Sequence, residues 1–157
     1  MPSLRDSVLS VSPEETMETT LNDISIMYIV ADGGPKGARE AFNRLESKFP
    51  SLRGRKFYGT FRQTTGEYRA CVAREPGDDP QRLGLASDVI PGGLYLREKM
   101  KNWTSRTDEI GKMFMAMGER ERQRVDSSRP SIEFYRSQDE LILLLPISPE
   151  QKPSKSG

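Results

Sequence analysis

One order of signals, a strand, a helix and then a hairpin, is read twice along this chain, and it restricts the possible folds more than any other feature. Ile24–Ala31 reads as a strand that ends at Asp32-Gly33-Gly34. Pro35 suits the first turn of a helix. Ala38, Phe42, Leu45 and Phe49 then recur at helical spacing, and Pro50 ends that run. Phe57–Arg62 and Glu67–Arg74 read as the arms of a hairpin around Gln63–Gly66. After the turn-rich stretch Glu75–Pro80 the order returns. Gly93–Met100 is a strand, Thr107 or Asp108 can cap a helix, and Ile110, Met113, Phe114 and Met117 form its apolar stripe. Gly111 and Gly118 weaken that helix by up to about 1 kcal/mol each relative to alanine. Ser131–Arg136 and Leu141–Ile147 make the closing hairpin around Ser137–Glu140. When the halves are superposed, Phe61-Arg62 falls on Tyr135-Arg136. The expected fold is α+β, a duplicated β-α-β-β unit whose mostly antiparallel sheet carries two helices on one face.

Composition sets the limits. A chain of 157 residues fits one domain, but with 34% hydrophobic and 30% charged residues part of it is expected to stay unpacked. Residues 1–23 read as a polar, flexible N-terminal segment, 24–147 as the domain and 148–157 as a disordered tail. The 24 basic and 23 acidic residues nearly balance, so neither nucleic acid nor an anionic membrane is an expected partner. The sequence contains no histidine, which excludes Ser-His-Asp and Cys-His machinery, histidine-ligated haem and an ordinary catalytic zinc site. Neither a cofactor nor a metal is expected. Cys71, the single cysteine, lies in an alternating apolar run and reads as a small strand residue. It allows no internal disulfide and fits a reducing compartment. No apolar run approaches the roughly 20 residues needed to span a bilayer, and no secretory signal opens the chain, so the expected location is the cytoplasm.

Candidate chemistry centres on Glu133. Strand alternation puts Ile132 and Phe134 on one side and Ser131, Glu133 and Tyr135 on the other. If the helices cover the Ile132 face, Glu133 and Tyr135 line the opposite one. A partly desolvated carboxylate there would have a raised pKa, and beside aromatic rings it would suit a delocalised cation. The residues alone favour an exposed strand glutamate paired with an arginine such as Arg62 or Arg69. Tyr28 and Tyr95 occupy comparable places on the first strands of the two halves and could flank a cleft. Phe61, Trp103 and Met115 complete the ligand-binding candidates, Met115 because it falls off the apolar helix stripe. Arg97–Trp103 is strongly charged for a pocket wall.

Ile90-Pro91-Gly92-Gly93-Leu94-Tyr95, a helix, then Pro130-Ser-Ile-Glu133-Phe-Tyr135 and a hairpin into Leu145-Pro146-Ile147 form a series that resembles the GyrI-like domain of the SOUL/GyrI-like superfamily. That domain also serves as the effector-binding part of several multidrug-sensing transcription activators. The resemblance covers about residues 24 to 147. It implies that Glu133 projects into an aromatic pocket and meets cationic or electrophilic ligands there. Three functions follow from it. One is a stand-alone module that binds small hydrophobic or cationic molecules. The second is a hydrolase of cyclopropane-bearing toxins with Glu133 as general base and Tyr135 or Tyr95 positioning the substrate. The third is a protein-interaction module, gyrase-inhibitor-like or an adaptor. No helix-turn-helix stands in the polar residues before Ile24, so a one-chain transcription activator is not expected.

Overall fold

The computed structural model describes residues 16–149. Eight strands form one antiparallel sheet: β1 (Thr16–Leu21), β2 (Ile24–Val30), β3 (Phe57–Arg62), β4 (Glu67–Ala73), β5 (Ala86–Ile90), β6 (Gly93–Lys101), β7 (Ser131–Tyr135) and β8 (Glu140–Pro146). Their order across the sheet is β1-β6-β8-β7-β3-β4-β2-β5. Among the described residues three α-helices accompany it: α1 (Ala38–Glu46), the single turn α2 (Pro80–Leu83) and α3 (Ile110–Arg120). The duplicated unit is present as β2-α1-β3-β4 and β6-α3-β7-β8, and the halves join where β3 pairs with β7.

Each unit also has a leading strand that the sequence reading lacks. Thr16–Leu21 falls in the segment expected to be flexible, yet it is β1 and pairs with β6 of the second half. β5 in turn pairs with β2 of the first half. Both are edge strands with mostly exposed side chains, so no apolar run marks them. Residues 1–15 and 150–157, the remainder of the two expected terminal segments, lie outside the described residues.

These exchanged strands determine the curvature of the sheet. β1 and β2 stand first and seventh in the order, about 29 Å apart if the sheet were flat. Only Asn22 and Asp23 connect them, and three residue steps reach about 11 Å at most. The edges must therefore curl toward each other. The β1–β2 and β5–β6 connections meet closely: Gly92 N donates to the Asp23 side chain at Oδ1, 2.7 Å away, and a Cβ on Gly92 would lie 2.5 Å from the backbone oxygen of Leu21.

Curling separates an inner from an outer face. The inner face buries Ile26, Tyr58, Cys71, Tyr95, Ile132 and Leu144 against one another without a helix. The outer face carries two cores, one with Met27, Leu45 and Val72 under α1, the other with Met100, Met117, Leu141 and Leu143 under α3. β8 is covered on both faces, which is why Leu141–Leu145 is continuously apolar rather than alternating. Cys71 is wholly buried and its thiol is pushed up to about 12, as befits a strand residue. Among the described residues no helix is long and apolar enough to cross a membrane.

Candidate functional site

α1 packs on β2 and β4 and α3 on β8, so the β3–β7 seam lies between the two helices. Gly59 on β3 is directly opposite Glu133 on β7 and Ala70 on β4. The missing side chain at Gly59 leaves a space that two functional groups fill. A Cβ built there would overlap the Tyr68 hydroxyl and lie 2.6 Å from Glu133 Oε1. A strand-interior glycine often marks such a close approach.

Glu133 and Tyr135 are on the helix side of the sheet, not on the opposite face as the sequence reading expects. The sheet buries Ile132 by curling on itself, so that residue needs no helix cover. Tyr68 donates to Glu133 Oε1 at 2.6 Å and Tyr135 donates to the same oxygen at 2.5 Å, while the two hydroxyls stand 3.2 Å apart. Glu133 Oε2 accepts no hydrogen bond from the described residues. Among the described residues no ion pair reaches Glu133 either. Arg69 is held by Glu67 and Asp88, and Arg62 donates to the Ser128 carbonyl. The arginine pairing considered from sequence is therefore not formed.

Burial raises the Glu133 pKa above the usual carboxylate value, and the two phenol donors only partly oppose it. Burial and the adjacent carboxylate push both tyrosines well above theirs, so they remain neutral donors. Each hydrogen bond to a charged acceptor contributes on the order of 1.5–3 kcal/mol, which helps offset the desolvation of Glu133.

Aromatic rings close over this cluster. Phe42 of α1 meets Tyr135 edge-on at 5.2 Å and Tyr68 at 6.4 Å. Trp103 meets Tyr135 from the other side at 5.0 Å. Trp103 is placed by Asn102, whose φ of 55° turns the chain sharply after β6, and its Nε1 donates to the Ser137 carbonyl at 2.9 Å.

The structure therefore brings together Glu133, Tyr135 and Trp103 from the sequence candidates. Phe61 shares their face but packs into the core under α1, directly opposite Tyr68. Tyr28 and Tyr95 lie on the inner face, Tyr28 beneath the Arg69 guanidinium and Tyr95 donating to the Pro91 carbonyl at 2.6 Å. They are not equivalent residues either. Tyr95 is the third residue of β6 and matches Ile26, the third of β2. Met115 is 73% exposed on α3, outside the buried clusters. Sequence reasoning missed Tyr68, Phe42 and Gly59. The signal for them was a glycine inside Phe57–Arg62 together with the hairpin register that carries Tyr68 beside it.

No family model matches this chain, and no curated protein is significantly similar to it. Its fold is shared with solved structures. An integron cassette protein from Vibrio cholerae aligns with a TM-score of 0.63 at 11% identity, over 85% of this chain and 96% of its own. SAV2435, solved bound to tetraphenylphosphonium, aligns at 0.59 and 9% identity over 86% and 94%. A hydrolase from Listeria innocua aligns at 0.51 and 12% identity over 94% and 98%. At these identities the likeness concerns the fold.

Proposed function

We propose that this chain is a GyrI-like binding module that captures small hydrophobic cations at the seam between α1 and α3, with Glu133 as the counter-charge. The observation behind this reading is a partly buried carboxylate that has two neutral phenol donors on one oxygen and no cationic partner among the described residues. Burying such a charge is unfavourable unless something neutralises it. A soft, delocalised cation would do so while its body rests on the faces of Tyr135, Phe42 and Trp103. These rings now pack on one another, so entry requires Phe42 and Trp103 to change rotamer, an ordinary adjustment on binding. The cation complex of SAV2435, on the same fold, supports the ligand class.

A second reading has its own support, an Oε2 without a hydrogen bond among the described residues on a carboxylate of raised pKa, and a structural neighbour named as a hydrolase. In it Glu133 is the general base for a water that attacks an electrophilic substrate.

Titration with tetraphenylphosphonium, with triphenylphosphine oxide as the neutral control, tests the first reading. Wild type is expected to bind the cation and to lose affinity as acid protonates Glu133, while Glu133→Gln binds at least about tenfold more weakly. Equal affinity of wild type and Glu133→Gln would end the counter-charge reading. Product analysis of an electrophilic cyclopropane incubated with both proteins separates binder from hydrolase. Silence in both assays moves the assignment to a protein-interaction module.

A further inference from the structure

The inner face of the second half contains a cavity of about 160 Å³, floored by Leu21, Phe134, Ile142 and Leu144 and edged by Arg97 and Arg136. It is on the opposite side of the sheet from Glu133. The Arg97 side chain makes no hydrogen bond or ion pair with the described residues. Arg136 has one carboxylate near it, Glu140 at 3.7 Å, and Glu140 is shared with Lys99 at 3.8 Å and Lys101 at 3.5 Å. Asp139, 3.9 Å from Lys101, is the other acid in this network. Lys99, Lys101 and Arg136 thus share two carboxylates at one end of the apolar hollow, and Arg97 has none.

The matching corner of the first half is filled and neutral, with Glu67 and Asp88 beside Arg62 and Arg69. Asp88 pairs across from Ile26 as Thr19 does from Tyr95, at equivalent points of β2 and β6. There Asp88 and Glu67 hold Arg69 at 2.8 and 2.6 Å, and the remaining cavity is about 20 Å³, room for one water. Thr19 brings no charge to the second half, where the cavity stays open and Arg97 unneutralised.

We propose that this cavity is a binding site for a small aromatic carboxylate, separate from the Glu133 cluster. The hollow opens to solvent on its arginine-edged side, and its volume leaves room for a single ring packed on Phe134 with a charged group directed outward. The guanidinium of Arg97 offers the planar fork that matches a carboxylate, with Arg136 as a second donor. The surplus positive charge around the hollow favours an anion over its neutral analogue.

Backbone-amide NMR titration of the full chain with benzoate, and with benzamide as the neutral isostere, tests this site. Benzoate is expected to move the signals of β1 and of the β7–β8 hairpin around Phe134, with benzamide at least about tenfold weaker. Arg97→Gln is expected to weaken benzoate about tenfold or more and to leave tetraphenylphosphonium binding as in wild type. Arg136→Gln gives an independent, smaller loss. The site is refuted by equal binding of the acid and the amide, by undiminished affinity in both arginine variants, by shifts centred on Glu133, or by no shifts at tens of millimolar benzoate. Because the two ligands occupy opposite faces, failure of the cation titration leaves this result readable by itself.

Discussion

Gly59 and Glu133 are the third residues of matching strands, β3 and β7, and they face each other across the centre of the sheet. One has no side chain, and the other has a carboxylate that occupies the space its counterpart leaves empty. The same asymmetry recurs around them. Tyr68 and Leu141 are both second residues, of β4 and β8, but only Tyr68 presents a hydroxyl to the seam. Phe61 and Tyr135 are both fifth residues, of β3 and β7, and again only one has a hydroxyl. Duplication supplies two equivalent halves and one central seam. The hydrogen-bonded cluster arises where equivalent positions differ, with the acceptor from one half and a donor from each. On the inner face the divergence is in charge, since Asp88 in the first half corresponds to Thr19 in the second.

Restoring a side chain at Gly59 should break this arrangement most severely. The new methyl of Gly59→Ala would have to displace the Tyr68 hydroxyl and the Glu133 carboxylate, combining overpacking with the loss of a charge-assisted hydrogen bond. The expected cost is about 2–5 kcal/mol in denaturant unfolding. The double variant Gly59→Ala/Tyr68→Phe removes the overlapping oxygen, so it should cost less than the sum of the single changes. A loss below about 0.5 kcal/mol for Gly59→Ala would mean that the two groups move aside freely and that the seam is not a fixed site.

Parts of this asymmetry were legible in the sequence. The register in which Phe61-Arg62 falls on Tyr135-Arg136 can be read from two polar turns, and strand alternation correctly places Glu133 and Tyr135 on one side. Which side that is could not be read. Ile132 is apolar whether a helix or the curled sheet covers it, and the curl depends on β1 and β5, whose exposed edge-strand side chains leave no hydrophobic pattern. Tyr68 was hidden for a related reason. In Glu67–Ala73 it alternates with Ala70 and Val72 as an ordinary core residue, and only the partner across the seam gives its hydroxyl a role. Trp103 was legible as a candidate, but its position depends on the left-handed Asn102, which has no strong sequence signature.

A smaller effect isolates the charge at the seam from its shape. Glu133→Gln keeps a carbonyl oxygen to accept from both phenols and removes the ionisable group. The folded-state pKa of Glu133 is raised, so folding favours its protonated form. The stability from this preference is fully present below the ordinary value of 4.5 and is lost as pH rises through the folded value. At neutral pH wild type therefore carries a buried charge that the variant lacks. Glu133→Gln should be the more stable protein at pH 7.5, by on the order of 1 kcal/mol, with the gap closing near pH 3.5. Denaturant unfolding at both values measures it. A variant less stable at neutral pH would mean that the carboxylate is better stabilised in the empty site than its surroundings imply.

The smallest stability change is expected on the inner face, from Thr19→Asp, which transfers the first half's acid to the second. Thr19 is partly exposed on an edge strand, and a new pair with Arg97 there would be solvated, like that of Arg69 with Asp88. Such pairs contribute about 0–1 kcal/mol, so the melting temperature should hardly move. Its effect on the cavity should be much larger. An added carboxylate would neutralise Arg97 and repel an anion, and benzoate affinity should fall about tenfold or more while tetraphenylphosphonium binding stays unchanged. If Thr19→Asp instead binds benzoate as wild type does, the open charge of Arg97 is not what distinguishes the second half. If it stabilises the fold by several kcal/mol, the surplus positive charge was a strain on the sheet rather than a means of recognition.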